Sequence, residues 1–182
     1  MGVTKKRHGF TFFELIVAVA VVSLILPTVF TIIFIMIRQQ LVLYGYREIK
    51  KQGDSVYSNI QQLITENGIM VTDSNYTYKE ICPIYPTPSI TMGSDLYLLD
   101  TQMNGITITG NTQIASISAS TNTTTYLTSN DVTISGLTFT CYKTNAYSPS
   151  VITVSYAVSK NVLQHTISLQ YRFKAQLRPY SY

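Results

Sequence analysis

The chain has 182 residues, enough for one modest domain and a long helix, and 46% of them are hydrophobic whereas only 12% are charged. Its formal charge of +4 depends on one N-terminal cluster, because without Lys5, Lys6 and Arg7 the chain has ten basic and nine acidic residues. A chain this close to neutrality lacks the basic surface that nucleic-acid binding requires, so we predict no nucleic-acid partner.

A long apolar run, residues 10–37, follows this basic cluster. About 20 apolar residues span a bilayer, so the run predicts a transmembrane segment, and the basic cluster predicts that the N-terminus stays in the cytoplasm. A secretory signal peptide is a poor match, because its apolar core has only about 7–15 residues and its small-residue cleavage site follows that core. Here the sequence Ala18-Val19-Ala20 lies inside the run.

One acid, Glu14, interrupts the apolar run. A carboxylate within a membrane segment costs about 2.5–3.5 kcal/mol on insertion scales. A plain transmembrane anchor fits the length of the run but leaves this cost unexplained. Glu14 therefore predicts a partner that arrives later, and the obvious candidate is a positive charge on another copy of the chain.

The residues around Glu14 resemble the N-terminus of type IV prepilins and pseudopilins. The family pattern is a short basic leader, a Gly, a cleavage point, a Phe, a few mostly apolar residues and then a Glu. Residues 5–17 of this chain read KKRHG followed by FTFFELIV, with Gly9, Phe10 and Glu14 at the matching positions. The resemblance covers about the first 30 residues of the chain.

The resemblance implies a role for each of these residues. Gly9 and Phe10 would flank the bond cut by a prepilin peptidase, and the Phe10 amine would then be N-methylated. Glu14 would neutralise the N-terminus of a neighbouring subunit during assembly. The further partners implied are other pilin or pseudopilin subunits, an inner-membrane assembly platform and membrane lipid.

Pro27 lies inside the run, a few residues earlier than the proline of many major pilins, which favours a minor pilin or a pseudopilin. Proline removes a backbone donor and clashes with the preceding turn, so we predict a helix kink near Val22–Ser23. The proline is either a tolerated transmembrane proline or a site where the helix bends as subunits pack.

A helical pattern continues beyond the apolar run. Positions spaced alternately by four and three residues are mostly apolar and are separated by charged and amide residues, which is typical of an amphipathic helix with one buried stripe. The stripe positions are Val42, Tyr46, Ile49, Gly53, Val56, Ile60, Leu63 and Asn67. We predict one helix from about Thr11 to about Asn67, roughly 85 Å long, apolar in its first half and amphipathic in its second.

The composition changes after the helix. Asn67-Gly68 predicts the helix end, the proline-rich segment 73–92 predicts a connecting loop, and short alternating segments from about Asp95 onward predict antiparallel strands. The predicted strands are Asp95–Leu99, Ile106–Thr109, Gln113–Ser118, Thr124–Leu127, Val132–Ile134, Leu137–Lys143, Val151–Ser159 and Leu163–Leu177. The expected class is α+β, with the long N-terminal helix packed on a C-terminal antiparallel β-sheet domain.

The chain has two cysteines, Cys82 in the predicted loop and Cys141 in a predicted strand. If the domain lies outside the cytoplasm, disulfides persist there, and a bridge would pin the loop to the sheet and stabilise the domain by about 4 kcal/mol. The alternative is two buried free thiols.

No catalytic or cofactor-binding pattern is present in the sequence. His8 and His165 stand apart from each other and from the cysteines, so no spacing fits a metal site. His165 has no sequence sign of a nucleophilic partner and is interpreted as a surface residue of a strand. We therefore predict no enzyme activity, no cofactor and no metal.

These observations divide the chain into a leader (1–9), a transmembrane and filament-core helix (10–37), an amphipathic helix half (38–67) and an extracytoplasmic β-rich domain (68–182). The predicted function is a structural subunit, a minor pilin or pseudopilin of a type IV pilus, a competence pilus or a type II secretion pseudopilus. The chain would first be a single-pass protein of the cytoplasmic membrane and then part of the filament. The alternative is an extracytoplasmic adhesin or ligand-binding module that the helix merely anchors.

Overall fold

The structure is a computed structural model that describes residues 11–163 and 165–179. Helix α1 covers Phe12–Gln62 and continues as one π-helical turn, Leu63–Asn67, before the chain becomes extended at Gly68. The predicted long helix and its end at Asn67 are therefore confirmed. The chain forms two compact units, Met1–Leu43 and Tyr44–Tyr182, and each is described separately below.

The described part of the first unit is helical from Phe12 onward and has no buried side chain. Apolar residues cover the helix all round, which is typical of a helix that lies in lipid or among other helices. Pro27 lies inside α1 with helical residues on both sides. The kink that we predict near Val22–Ser23 stays a prediction.

The hydroxyl groups of this apolar helix bond to its own backbone. Ser23 Oγ donates to the carbonyl of Ala20 at 2.8 Å, and Thr28 Oγ1 donates to the carbonyl of Ile25 at 2.7 Å. Thr31 Oγ1 donates to the carbonyl of Pro27 at 2.8 Å. Such bonds satisfy polar side chains within the helix, so these hydroxyls need no partner in lipid.

The amphipathic part of α1 lies in the second unit, and its buried stripe differs at both ends from the predicted one. The buried positions are Gly45, Ile49, Gly53, Val56, Ile60 and Ile64. Tyr46 is 44% exposed and Asn67 is also exposed. Steps that average about 3.5 residues drift off one face of a straight helix with about 3.6 residues per turn, so the prediction holds in the middle and fails at the ends.

The strands of the second unit form two antiparallel sheets, whereas the sequence predicts one sheet. The first sheet has the strand order β1-β3-β4-β5-β6 and the second has the order β2-β7-β8-β9. The strands are β1 (Met70–Thr72), β2 (Ile90–Gly93), β3 (Asp95–Leu99), β4 (Gly105–Gly110), β5 (Ile114–Ser118), β6 (Thr123–Tyr126), β7 (Thr133–Tyr142), β8 (Val151–Val162) and β9 (His165–Gln176). The α+β class and the antiparallel pairing are confirmed.

Two strands, β1 and β2, are missing from the prediction, and β2 overlaps the segment 73–92 that the sequence assigns to a loop. Both are short and depend on their partners, since β1 pairs with β3 and β2 pairs with β7. A strand of three or four residues leaves almost no periodic signal in the sequence. Tertiary pairing therefore decides these two elements.

Strand β7 joins two predicted strands, and the β8–β9 turn lies later than predicted. The register between β7 and β8 shifts between Ser135 and Thr138, and Gly136 has a φ of +64°. A β-bulge accommodates such a glycine without ending the strand. Lys160 and Asn161, which lie between the two predicted strands, are part of β8 and pair with β9.

The helix packs on the four-stranded sheet through two tyrosines and one glycine. Tyr156 on β8 donates its hydroxyl to the carbonyl of Gly53 at 2.9 Å, and the Tyr171 hydroxyl on β9 donates to the carbonyl of Lys50 at 3.2 Å. The two tyrosine rings stack, with their centroids 5.2 Å apart. A Cβ at Gly53 would overlap the Tyr171 ring, so only glycine permits this close approach.

Candidate assembly site at the helix N-terminus

The first turn of α1 is a capping box formed by Thr11 and Glu14. The Thr11 backbone N–H donates to Glu14 Oε2 at 2.9 Å, and the Thr11 hydroxyl donates to the same oxygen at 3.0 Å. In return the Glu14 backbone N–H approaches Thr11 Oγ1 at 3.3 Å. This reciprocal pattern satisfies two backbone donors that the start of a helix otherwise leaves without partners.

The capping box changes the interpretation of Glu14 in a membrane. A helix N-terminus carries a partial positive charge, so a carboxylate in its first turn is stabilised there. Unsatisfied backbone groups are costly in lipid, and Glu14 satisfies one of them. Part of the cost of placing this acid in an apolar segment is therefore offset within the chain itself.

Thr11 is the residue of this candidate site that the sequence analysis misses. Its signal is present in the sequence, because Thr11-Phe12-Phe13-Glu14 has the spacing of a capping box directly before an apolar run. The prepilin pattern specifies Gly9, Phe10 and Glu14 but does not specify Thr11, which follows Phe10. A search for helix start signals would have found it.

Glu14 is the single charged residue among positions 12–37. Its neighbours are large and exposed, with Phe12 79%, Phe13 74% and Leu15 54% exposed. Both hydrogen bonds that the carboxylate accepts from described residues reach Oε2. Chemically, the site is a carboxylate in an apolar surface that can bind a cation, such as an amine, through its other oxygen.

The other sequence-predicted site residues do not form part of this capping box. The cleavage-site residues Gly9 and Phe10 and the leader charges Lys5, Lys6 and Arg7 lie outside the described residues. Pro27 lies thirteen positions after Glu14 in the same helix. The described part of the site therefore consists of Thr11, Glu14 and the apolar side chains around them.

Cys82 and Cys141 lie in the second unit, where they form a disulfide with 5.4 Å between their Cα atoms. Both are buried. Backbone hydrogen bonds hold the chain on both sides of the bridge, since the Tyr85 N–H donates to the Lys143 carbonyl and the Lys143 N–H donates to the Pro83 carbonyl, each at 2.8 Å. The bridge pins the segment after β1 to the end of β7.

Glu80 reinforces the same segment. Its Oε1 accepts from the Val71 backbone N–H at 3.2 Å and from the Ser150 hydroxyl at 2.8 Å. Its Oε2 lies 3.7 Å from Lys143 Nζ. These contacts give the half-buried Glu80 carboxylate a structural role. In residues 11–163 and 165–179 no group of three His, Cys, Asp or Glu side chains is placed to hold a metal ion.

One family model, the prokaryotic N-terminal methylation motif, matches residues 4–26. No curated protein and no solved structure matches the chain. Within the described residues, α1 with its continuation to Asn67 is the one helix long and apolar enough to cross a membrane. The motif implies processing by a prepilin peptidase and assembly with other pilins, and the apolar helix is consistent with anchoring in a membrane. The chain therefore carries the N-terminus of a type IV pilin-like prepilin.

Proposed function

We propose that this chain is a minor pilin or pseudopilin, a structural subunit that waits in the cytoplasmic membrane and is then assembled into a filament. The filament is a type IV pilus, a competence pilus or a type II secretion pseudopilus. The observation that carries the proposal is the Glu14 carboxylate, which Thr11 holds in the first turn of an otherwise apolar, exposed helix. A helix that served only as an anchor could use an uncharged Gln in this capping box, so the carboxylate itself favours a cationic partner.

In the membrane, the proposed subunit has its N-terminus in the cytoplasm and its β-rich domain on the other side. Cleavage between Gly9 and Phe10 creates a new N-terminal amine, which is then methylated. Methylation leaves the amine positively charged at neutral pH. Each subunit would thus carry one positive charge at the Phe10 amine and one negative charge at the Glu14 carboxylate.

Assembly pairs these two charges between neighbouring subunits. A charge left without a partner in an apolar filament core costs several kcal/mol, whereas a paired charge costs much less. Only one axial stagger of two parallel helices brings Phe10 of one subunit to Glu14 of the next, so the pair would also set the register. The capping box supports this role because it fixes the carboxylate before the partner arrives.

Assembly would also account for the exposed apolar surface of α1. The exposed apolar residues of the first unit would exchange lipid for the helices of other subunits, and the second unit would face outward. The inner-membrane assembly platform would deliver the subunit to the growing end. The position of Pro27 favours a minor pilin or pseudopilin over a major pilin.

Processing at Gly9–Phe10 tests the proposal. Intact-mass measurement and N-terminal sequencing of protein from native membranes should show a chain that begins at N-methylated Phe10. Gly9→Leu should block cleavage, since a small residue is required before the cut, whereas Gly2→Leu is the matched control and should be processed normally. The processed chain should also be recovered with sheared filaments.

Two outcomes would contradict the proposal. The first is retention of Met1 in a host with an active prepilin peptidase. The second is a processed chain that stays entirely in the membrane when filaments are sheared, which is the behaviour expected of the anchored adhesin or ligand-binding module.

A further inference from the structure

The tip of the β8–β9 hairpin carries a leucine in an unfavourable place. Val162 pairs with His165, so only two residues join the strands, and Leu163 is the first of them. Its φ is +50°, in the left-handed region that Gly and Asn adopt at low cost and that a bulky apolar residue disfavours. The side chain is also 47% exposed. The left-handed φ is a steric cost in any solvent, whereas the exposed apolar side chain is unfavourable only in water. Contact with an apolar phase would therefore explain why a leucine, and not Gly or Asn, occupies this position.

The hairpin tip packs against the start of the second unit. A Cβ added to Gly45 would lie 2.6 Å from Val162 Cγ2 and 3.4 Å from Ile167 Cδ1, so the strand ends rest directly on the helix at this glycine. Strand β8 contacts Gly53 through Tyr156 and contacts Gly45 through Val162. It therefore runs along the helix toward Tyr44, the first residue of this unit.

Two tyrosines flank the glycine on which the tip rests. Tyr44 is 64% exposed and Tyr46 is 44% exposed. Because they are two positions apart in the helix, they project to either side of Gly45. These two tyrosines and Leu163 are called here the tip patch. Tyrosine combines an apolar ring with a polar hydroxyl and is enriched where membranes meet water.

The chain itself keeps the tip patch near the bilayer. The apolar run ends at Ile37, and Gly45 is eight residues later in the same helix. Eight helical residues rise about 12 Å, and even a fully extended chain of that length reaches less than about 30 Å. This limit depends only on the length of the connection.

The charge of the hairpin also favours a membrane surface. Between Val151 and Gln176 the sequence contains Lys160, Arg172 and Lys174 but no Asp or Glu. The hairpin itself adds no acid, and the Asp54 carboxylate of α1 accepts a hydrogen bond from its Tyr171. Near the tip, Lys160 can attract the phosphates of anionic phospholipids, whereas Arg172 and Lys174 pair with Ser155 and Thr153, farther along the strands. Lys160 lies three residues before Leu163, close to the tip.

We infer that Tyr44, Tyr46 and Leu163 contact the phospholipid headgroups and upper acyl chains of the membrane that holds the apolar helix, and so seat the second unit on the bilayer before assembly. The inference rests on the membrane anchoring in the proposed function, but it does not depend on filament formation. The proposed occupant of the tip patch is lipid, and contact of the tip patch with a second copy of the chain is the competing outcome.

The absence of tryptophan from the sequence permits a direct test. The full chain is reconstituted in vesicles of phosphatidylcholine and phosphatidylglycerol, and Leu163→Trp supplies the only indole. The matched control is Tyr147→Trp, because Tyr147 is fully exposed in the connection between β7 and β8, at the other end of β8. Twelve strand residues separate the two ends of β8, roughly 40 Å.

Lipids brominated at upper acyl-chain positions should quench most of the Leu163→Trp emission, which should be blue-shifted and protected from acrylamide. The Tyr147→Trp emission should be insensitive to the brominated lipid and fully quenched by acrylamide. Tyr46→Trp is the second probe, since it replaces one aromatic residue by another, and it should behave like Leu163→Trp. Resistance of Cys82 and Cys141 to alkylation verifies that each variant retains its fold.

Three results would overturn the inference. Leu163→Trp that behaves like Tyr147→Trp would place the tip in water. Leu163→Trp that is protected from acrylamide but insensitive to brominated lipid would place it against protein. A chain that fails to float with the vesicles would overturn membrane anchoring as well, whereas flotation with an unquenched probe would overturn this inference and leave the proposed function intact.

Discussion

The two units of the chain differ in how far along the sequence their polar contacts reach. In the described part of the first unit, residues 11–43, each hydroxyl and the Glu14 carboxylate bond to groups three or four positions away in the sequence. In the second unit local contacts of this kind, as between Asp100 and Asn104, occur beside contacts that span long stretches of sequence, as between Tyr156 and Gly53 and between Glu80 and Ser150. The polar groups of the first unit are therefore satisfied by nearby residues, which leaves its apolar surface for lipid or other helices. The fold of the second unit depends in addition on contacts between residues that are distant in the sequence.

This difference predicts that substitutions in the two units affect different properties. Changes in the second unit should alter the free energy of unfolding and leave membrane insertion unchanged. Changes in the first unit should alter assembly and leave the fold of the second unit unchanged. The predictions below test each half of this statement.

The largest effect on stability is expected at the disulfide. The double variant Cys82→Ser/Cys141→Ser removes a link between residues 59 positions apart, and by the chain-entropy model this costs about 4 kcal/mol. Denaturant unfolding of the full chain in detergent measures the loss, with reductant-treated wild type as the comparison. Wild-type protein should take up no alkylating reagent without reductant, and quantitative labelling of both cysteines in extracytoplasmic material would contradict the bridge.

A smaller loss is expected from Gly53→Ala. Alanine is a better helix former than glycine by about 1 kcal/mol, but its Cβ would overlap the Tyr171 ring, and overpacking costs about 1–3 kcal/mol. We expect the same unfolding measurement to show a net destabilisation of about 1–2 kcal/mol. The control is Ser55→Ala on an exposed position of the same helix, which should change the free energy of unfolding by less than about 0.5 kcal/mol. Equal or greater stability of Gly53→Ala would disprove the close packing.

The smallest effect concerns pH. Burial, together with the nearby Asp54 carboxylate, raises the pKa of Tyr171 from 10.0 to about 12. The folded state favours the neutral phenol, so its contribution to stability is present below pH 10 and is lost as the pH rises through about 12. Absorbance of tyrosinate should show that Tyr171→Phe removes a group with this high pKa, whereas Tyr147→Phe, at a fully exposed position, should leave that group in place. Loss of the high-pKa group in both variants or in neither would contradict the assignment.

The sequence predicts the features that are local or strongly periodic. The long helix, its end at Asn67 and the strand β3 follow from composition, spacing and turn residues. The buried stripe departs from the predicted one at its ends because the predicted spacing drifts off one helix face. At its N-terminal end Val162 contacts Gly45, which has no side chain to mark it as an apolar position. The turn after β8 lies later than its polar residues suggest because the ladder with β9 continues through Lys160 and Asn161.

The candidate site is also only partly predictable from the sequence. The family pattern predicts Glu14 as the assembly residue, and the capping spacing of Thr11 and Glu14 is readable from the sequence. Which contact Glu14 makes in a filament depends on a second chain, and no pattern within one chain determines it. The role of Glu14 must therefore be tested by assembly.

The substitution Glu14→Leu tests the central claim most directly, through the ratio of variant to wild type in sheared filaments at equal membrane abundance. The acid is lost, so insertion should persist or improve, and cleavage at Gly9–Phe10 should persist because it lies upstream. The Phe10 amine of a neighbour would be buried without its partner, at about 3–5 kcal/mol, so the ratio should fall by about two orders of magnitude or more. Thr28→Val removes a polar group whose bond is internal to the same helix and should leave the ratio near one. A ratio near one for Glu14→Leu as well would show that Glu14 has no role in assembly and would contradict the account.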